Sequence, residues 1–153
     1  MDEAAPEKQA LFVPAMAPAY DKFKPYSYAF MRFCTGAVLF PHGVQKAMSG
    51  WADKGAENIA AAGLPSPLLL AYLAVFSELI AAACLALGLF TRVAAAMIAI
   101  QMAVIIVFFQ WKFGYFWTSR GIEYALLLLL LCVAIFFEGG GRYSLDRVIG
   151  KEF

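Results

Sequence analysis

The sequence predicts an all-α fold, an integral membrane four-helix bundle with short loops. Four long apolar stretches, roughly Tyr26–Met48, Pro67–Leu89, Thr91–Gln110 and Thr118–Phe137, lie within 153 residues. Each is near the ~20 residues that an α-helix needs to cross a ~30 Å hydrocarbon layer. Hydrophobic residues make up 63% of the chain and the mean hydropathy is +0.72. What remains suffices for a tail, short loops and a short C-terminus, and leaves no soluble domain. Glu78 and Glu123 stand inside these stretches, where charge is expensive, so they lead the search for function.

Residues 1–25 form an N-terminal tail with prolines at 6, 14, 18 and 25 and no clear periodicity. It is expected to be irregular, or ordered only on a partner, and is a candidate docking segment. Asp2, Glu3 and Glu7 stand where a cleaved signal would carry positive charge, so the first stretch is expected to stay in the membrane. The helical domain is 26–153. Its first helix carries Pro41, which frees the carbonyl of Ala37 and predicts a kink. Trp51–Leu64 is too polar to span, and Ala52–Ala62 within it reads as a short interfacial helix, ended by Gly63 and Pro65. The link Leu87–Arg92 is so short that the second and third helices must be antiparallel neighbours. Glu138-Gly139-Gly140-Gly141 ends the fourth helix. Ser144 then caps a last short helix, with Asp146 in its first turn and Leu145, Val148 and Ile149 on one face as an interfacial anchor.

Topology follows from arginine and lysine counts. Lys8, Lys22, Lys24, Arg92, Arg142, Arg147 and Lys151 fall on one side, and Lys46, Lys54, Lys112 and Arg120 on the other. Seven against four predicts a multi-pass protein of a bacterial inner membrane with both termini cytoplasmic. Trp51, Trp111 and Trp117 fall on the opposite side, as an aromatic belt does. A net charge of +1 leaves no basic surface for nucleic acid. One histidine cannot give a haem two ligands, and no Cys/His cluster suggests a metal, so no metal site is expected. Cys34, Cys84 and Cys132 form no CxxC pair, which argues against disulfide generation. All three read as small apolar residues of buried helices, ahead of a thiol or soft-metal site. Arg32, one to two turns inside the cytoplasmic end, is expected to snorkel or to pair with a helix end.

Counting ~1.5 Å per residue from the outer interface, Lys46 lies about two residues deep, Glu123 about five, His42 about six and Glu78 about ten. Gln101 is near the middle of the third stretch. His42, Gln45 and Lys46 share one face of the first helix. If these groups face one another they form one polar intramembrane cluster, with Arg120 at its rim. Such a cluster suits a quinone, whose two carbonyls need donors and whose reduction needs a carboxylate to exchange a proton. The competing reading is a salt-bridge network that only pins short helices together.

The run Arg32-Phe33-Cys34-Thr35-Gly36, then Pro41-His42-Gly43-Val44-Gln45-Lys46, resembles the opening helix of the DoxX family. Gly63-Leu64-Pro65 is similar to that family's loop motif, and Glu78 stands where its second helix has an acid. Leu87-Gly88-Leu89-Phe90-Thr91-Arg92 resembles its GLxTR turn. Gly139-Gly140-Gly141 with Ser144-Leu145-Asp146 resembles its glycine-rich SLD ending. The resemblance covers roughly Tyr28–Val148. It implies a four-helix membrane bundle associated with quinone or a redox partner, and it assigns no catalytic residue.

The first expectation is a small membrane subunit of an oxidoreductase or electron-transfer complex, contributing to a quinone-binding or proton-handling site. No covalently bound cofactor is expected. The expected partners are membrane lipid and a larger redox or respiratory complex, or further copies of the chain. The alternative is a non-enzymatic assembly subunit whose buried charges only fix helix packing. A small-solute carrier ranks last, because no broken-helix pair or inverted repeat supports transport.

Overall fold

The computed structural model describes residues 10–151, and these carry helices and no strand. After a 3₁₀ turn at Pro14–Met16, α1 runs over Ala17–Met48. A short α2, Trp51–Ala61, follows. The two most apolar helices are α3, Pro67–Leu87, and α4, Thr91–Phe113. Then come α5, Glu123–Glu138, and the single-turn α6, Leu145–Ile149.

Side chains sort by size and polarity in a way that suits lipid. Bulky apolar groups such as Phe30, Phe33, Leu69, Phe76, Ile100, Val107, Leu127 and Leu130 are exposed, while Arg32, Thr35, Ser77, Glu78, Thr91 and Asp146 are buried. Water would penalise that arrangement twice; hydrocarbon favours both halves of it. α3 and α4 have mean hydropathies of 2.2 and 2.3, yet only 33% and 28% of their most apolar windows is buried. They are therefore not core helices of a soluble domain. α1 and α5 fall outside the same length-and-composition test. α1 carries Arg32 and Lys46 among its turns, and α5, at 16 residues, reaches only about 24 Å.

α1 packs along α3, and α4 packs along α5. The first contact is a small-residue seam. A Cβ on Gly36 would stand 2.3 Å from the Ala82 carbonyl oxygen, and one on Gly43 would stand 2.4 Å from the Glu78 carbonyl carbon. Seven residues apart, these glycines share one face of α1 and let its backbone touch that of α3. The centre is filled by Leu39, Leu85, Ile98, Met102, Leu128, Cys132 and Ile135. Cys34, Cys84 and Cys132 are free thiols.

Two expectations need correction. The tail before Tyr26 is helical from Ala17 onward, and residues 1–9 of it lie outside the described residues. Pro18 falls in the first turn, where a missing N–H costs nothing. α1 then continues unbroken through both Pro25 and Pro41. Residues 17–25 of that tail are thus the start of a 32-residue helix.

The fourth long helix does not start at Thr118. Trp117–Ser119 is a 3₁₀ turn and Arg120 adopts φ 65°. The segment folds back so that the N–H groups of Ile122 and Glu123 donate to the carbonyls of Gly114 and Tyr115, at 3.0 and 2.9 Å. A Cβ on Gly121 would stand 2.5 Å from the Gly114 oxygen. That close fold-back holds the chain out of helical geometry until Glu123.

α3 and α4 are not regular α-helices throughout. Ser77–Ala81 and Ile105–Gln110 are π-helical turns. The first coincides with the two buried polar residues Ser77 and Glu78, the kind of place where such turns concentrate. Between α3 and α4, Leu89 N–H donates to the Cys84 carbonyl at 2.9 Å and Gly88 N–H to that of Leu85 at 3.2 Å. This is a Schellman stop, with Gly88 at φ 71°.

Candidate functional site

Glu78 is 3% exposed and lies on the π-turn of α3. Its Oε1 accepts from Lys46 Nζ at 2.6 Å and from Gln101 Nε2 at 2.6 Å. Three helices, α1, α3 and α4, therefore meet at one carboxylate oxygen. The Lys46 side chain is 22% exposed and that of Glu78 4%, so the ammonium forms the rim and the carboxylate the floor. Lys46 Nζ also stands 4.5 Å from the centroid of the Trp51 ring. That ring lies against Gly55, where a Cβ would come within 2.5 Å of it. The aromatic cover over Lys46 is thus set by a glycine one turn later in α2.

The other Glu78 oxygen, Oε2, is buried without a hydrogen-bond partner, and so are Gln101 Oε1 and Ser77 Oγ. Unmatched acceptors in a low-dielectric interior are costly. They are open to a group that donates hydrogen bonds, such as a hydroxyl.

The other expected members sit elsewhere. His42 and Gln45 are exposed. The His42 ring lies 6.3 Å from that of Tyr124, a residue no sequence signal singled out. Glu123 Oε2 accepts from the Trp117 N–H at 3.1 Å, which ties the loop to the start of α5. Arg120 is exposed on that loop. Of the seven candidates, Lys46 and Gln101 are both bonded to Glu78. His42 stands on the surface of α1 one turn before Lys46, Arg120 belongs to the loop before α5, and Glu123 is the first residue of α5.

At the opposite end lies an arrangement that the sequence reading missed. Asp146 is 2% exposed. Its carboxylate accepts from Phe90 N–H at 2.7 Å, from Thr91 N–H at 2.9 Å and from Thr91 Oγ1 at 2.6 Å. It sits in the first turn of α6 and caps α4 from 55 residues away. Ser144 is the local cap of α6, accepting from Arg147 N–H at 3.2 Å. One signal could have found this: Phe90 stands at the N-cap of α4, and phenylalanine offers no acceptor. The orphan N–H groups need one from elsewhere. Asp146→Ala should lower stability by about 2 kcal/mol, because it strands the buried N–H and hydroxyl of Thr91 and takes the acceptor from the half-buried Phe90 N–H. Unfolding in mixed micelles measures it; a loss below a quarter of that would refute the cap.

Arg32 is 2% exposed. It donates through one terminal nitrogen to the Tyr143 carbonyl at 2.7 Å. It does not snorkel; it pairs with the backbone at this end, packed on Gly88, where a Cβ would meet its guanidinium at 1.5 Å.

The family model described as DoxX matches residues 27–111. That region holds Lys46, Glu78 and Gln101, while Glu123 and Asp146 lie beyond it. An uncharacterized protein of Haemophilus influenzae is 32% identical over 136 residues, covering 86% of this chain and 97% of its own length. An uncharacterized membrane protein of Mycobacterium tuberculosis is 29% identical over 139 residues, covering 84% of each chain. No solved structure matches the chain.

Proposed function

From the premise that this chain belongs to the DoxX family, we propose that it is a small membrane subunit of an electron-transfer complex. In this reading Glu78 handles a proton beside a bound quinone head group. One observation carries it: a buried carboxylate with one oxygen held by Lys46 and Gln101 and the other without a partner.

The residues fit such a group. Glu78 Oε2 and Gln101 Oε1 accept from the hydroxyls of the reduced form, and Lys46, at the rim, donates to a carbonyl of the oxidised form. A bound quinone supplies the two-electron redox change. Lys46 and Gln101 hold Glu78 in one rotamer. Trp51 covers the ammonium, and His42 with Tyr124 forms an aromatic edge on the exposed surface nearby. Both termini face the cytoplasm of a bacterial inner membrane in this reading. The stacking of Tyr26 on Tyr143 at 4.8 Å and the Asp146 cap support a shared side, because they gather Tyr26 of α1, the α3–α4 turn and the C-terminal segment at one end, and the lysine and arginine count supports the cytoplasmic one.

Trp51 provides the test. In nanodiscs, with Trp111 and Trp117 replaced by Phe, a short-chain quinone should quench Trp51 fluorescence saturably. Glu78→Gln should keep the protein assembled and weaken binding of the reduced form by about tenfold, one lost charge-assisted hydrogen bond. Linear quenching, equal in wild type and Lys46→Met, would sink the proposal.

The second reading, an assembly subunit, is favoured by Gly43. The Lys46–Glu78 bond lies beside the closest backbone contact of α1 with α3, where an ion pair also fixes helix register. It predicts that Glu78→Gln changes assembly with a partner and leaves quinone binding unmoved.

A further inference from the structure

We propose that the Asp146 end of the bundle is a docking groove for the headgroup of an anionic phospholipid. The groove has a volume of about 590 Å³ and is lined by Leu87, Arg142, Tyr143, Ser144, Leu145, Arg147 and Val148. It carries both chemistries that such a lipid needs. Arg142 and Arg147 are exposed and supply the phosphate contacts, in the bidentate geometry that guanidinium allows. Leu87, Leu145 and Val148 are 56%, 39% and 81% exposed and supply an apolar wall.

Beneath the groove lies a third guanidinium. Arg32 holds the Tyr143 carbonyl with one nitrogen, while its Nε and other terminal nitrogen are buried without a partner. Its charge, in a low-dielectric floor, adds to the potential above it more strongly than a surface charge does. A neighbouring hollow adds Lys151 and Glu138. Among the described residues of these two hollows and their floor, Arg32, Arg142, Arg147 and Lys151 outnumber Glu138 and Asp146, and the Asp146 carboxylate is already taken up by Phe90 and Thr91. Leu87 is the last residue of α3, so the groove sits where the helix leaves the hydrocarbon. A free anion would satisfy the arginines and leave the apolar wall in water. An anionic lipid covers both.

The full chain in neutral detergent is titrated with phosphatidylglycerol or phosphatidylcholine, and bound lipid is counted by native mass spectrometry. Phosphatidylglycerol should bind at least tenfold more tightly, on the order of the gain from two basic residues at a membrane surface. Arg142→Gln with Arg147→Gln should abolish that preference, and both residues are exposed, so folding should be kept. Lys54→Gln with Lys112→Gln, at the other end, should keep the preference. The proposal is overturned by equal binding of the two lipids, by equal loss in the control variant, or by inorganic phosphate displacing the lipid at matched concentration. The last outcome would make this a free-anion site.

Discussion

Lys46→Ala should cost about 3 kcal/mol of stability, and Glu78→Ala about half of that, although both break the same ion pair. The asymmetry comes from burial. The Lys46 side chain is 22% exposed and that of Glu78 4%. Without the carboxylate, the ammonium extends along its stem toward the interface and regains water, with Trp51 still close by. Without the ammonium, the carboxylate stays enclosed by α1, α3 and α4, with Gln101 as its remaining donor. The double variant should therefore be more stable than the sum of the single losses implies, because it leaves no stranded charge. Detergent unfolding titrations of the three variants measure this. Additive losses would mean that the 2.6 Å contact contributes no coupling.

Gly43→Ala should cost about 3 kcal/mol, at the upper end for an inserted methyl group. The methyl would stand 2.4 Å from the Glu78 carbonyl carbon and 2.4 Å from the Leu79 nitrogen. Both are backbone atoms of a packed helix, so no rotamer change relieves the overlap and α1 must move away from α3. Gly50→Ala is the contrast. Gly50 has φ 63° and nothing within 4 Å of an added Cβ, so only left-handed strain of about 1 kcal/mol is expected. Because the Gly43 contact adjoins the Lys46–Glu78 bond, Gly43→Ala should also change Trp51 fluorescence, and Gly50→Ala should not. Equal stabilities for the two variants would show that the seam yields more easily than its distances imply.

Much of the architecture is local and was legible for that reason. Gly63 and Gly88 stop helices because only glycine takes left-handed φ at no cost, and Pro67 and Thr91 begin the next ones where the apolar runs begin. The short helix after Met48 and the Ser144 cap follow from spacing and side-chain chemistry alone. Depth counting also placed Glu78 and Gln101 near one another, since rise per residue is constant along a helix, but it set Lys46 about eight residues shallower than Glu78, so their bond came from the packing. The same counting failed for Arg120 and Glu123. It assumed a helix from Thr118, and the fold-back onto Gly114 and Tyr115 is a contact between segments that no periodicity encodes.

By itself, then, the sequence determined an all-helical membrane protein of four long apolar segments, its turns, and the polar residues that hydrocarbon would force to find partners. Those properties depend on each residue's own transfer energy and backbone preference. The tertiary structure decided which partners they find. It chose Lys46 and Gln101 for Glu78, leaving His42 exposed beside Tyr124, because the glycine seam sets how α1 rotates against α3. It sent Asp146 to α4, where Phe90 at the N-cap left N–H groups without a local acceptor. Pairing across 32 or 55 residues depends on the register and rotation of packed helices, and these arise only when the whole bundle closes.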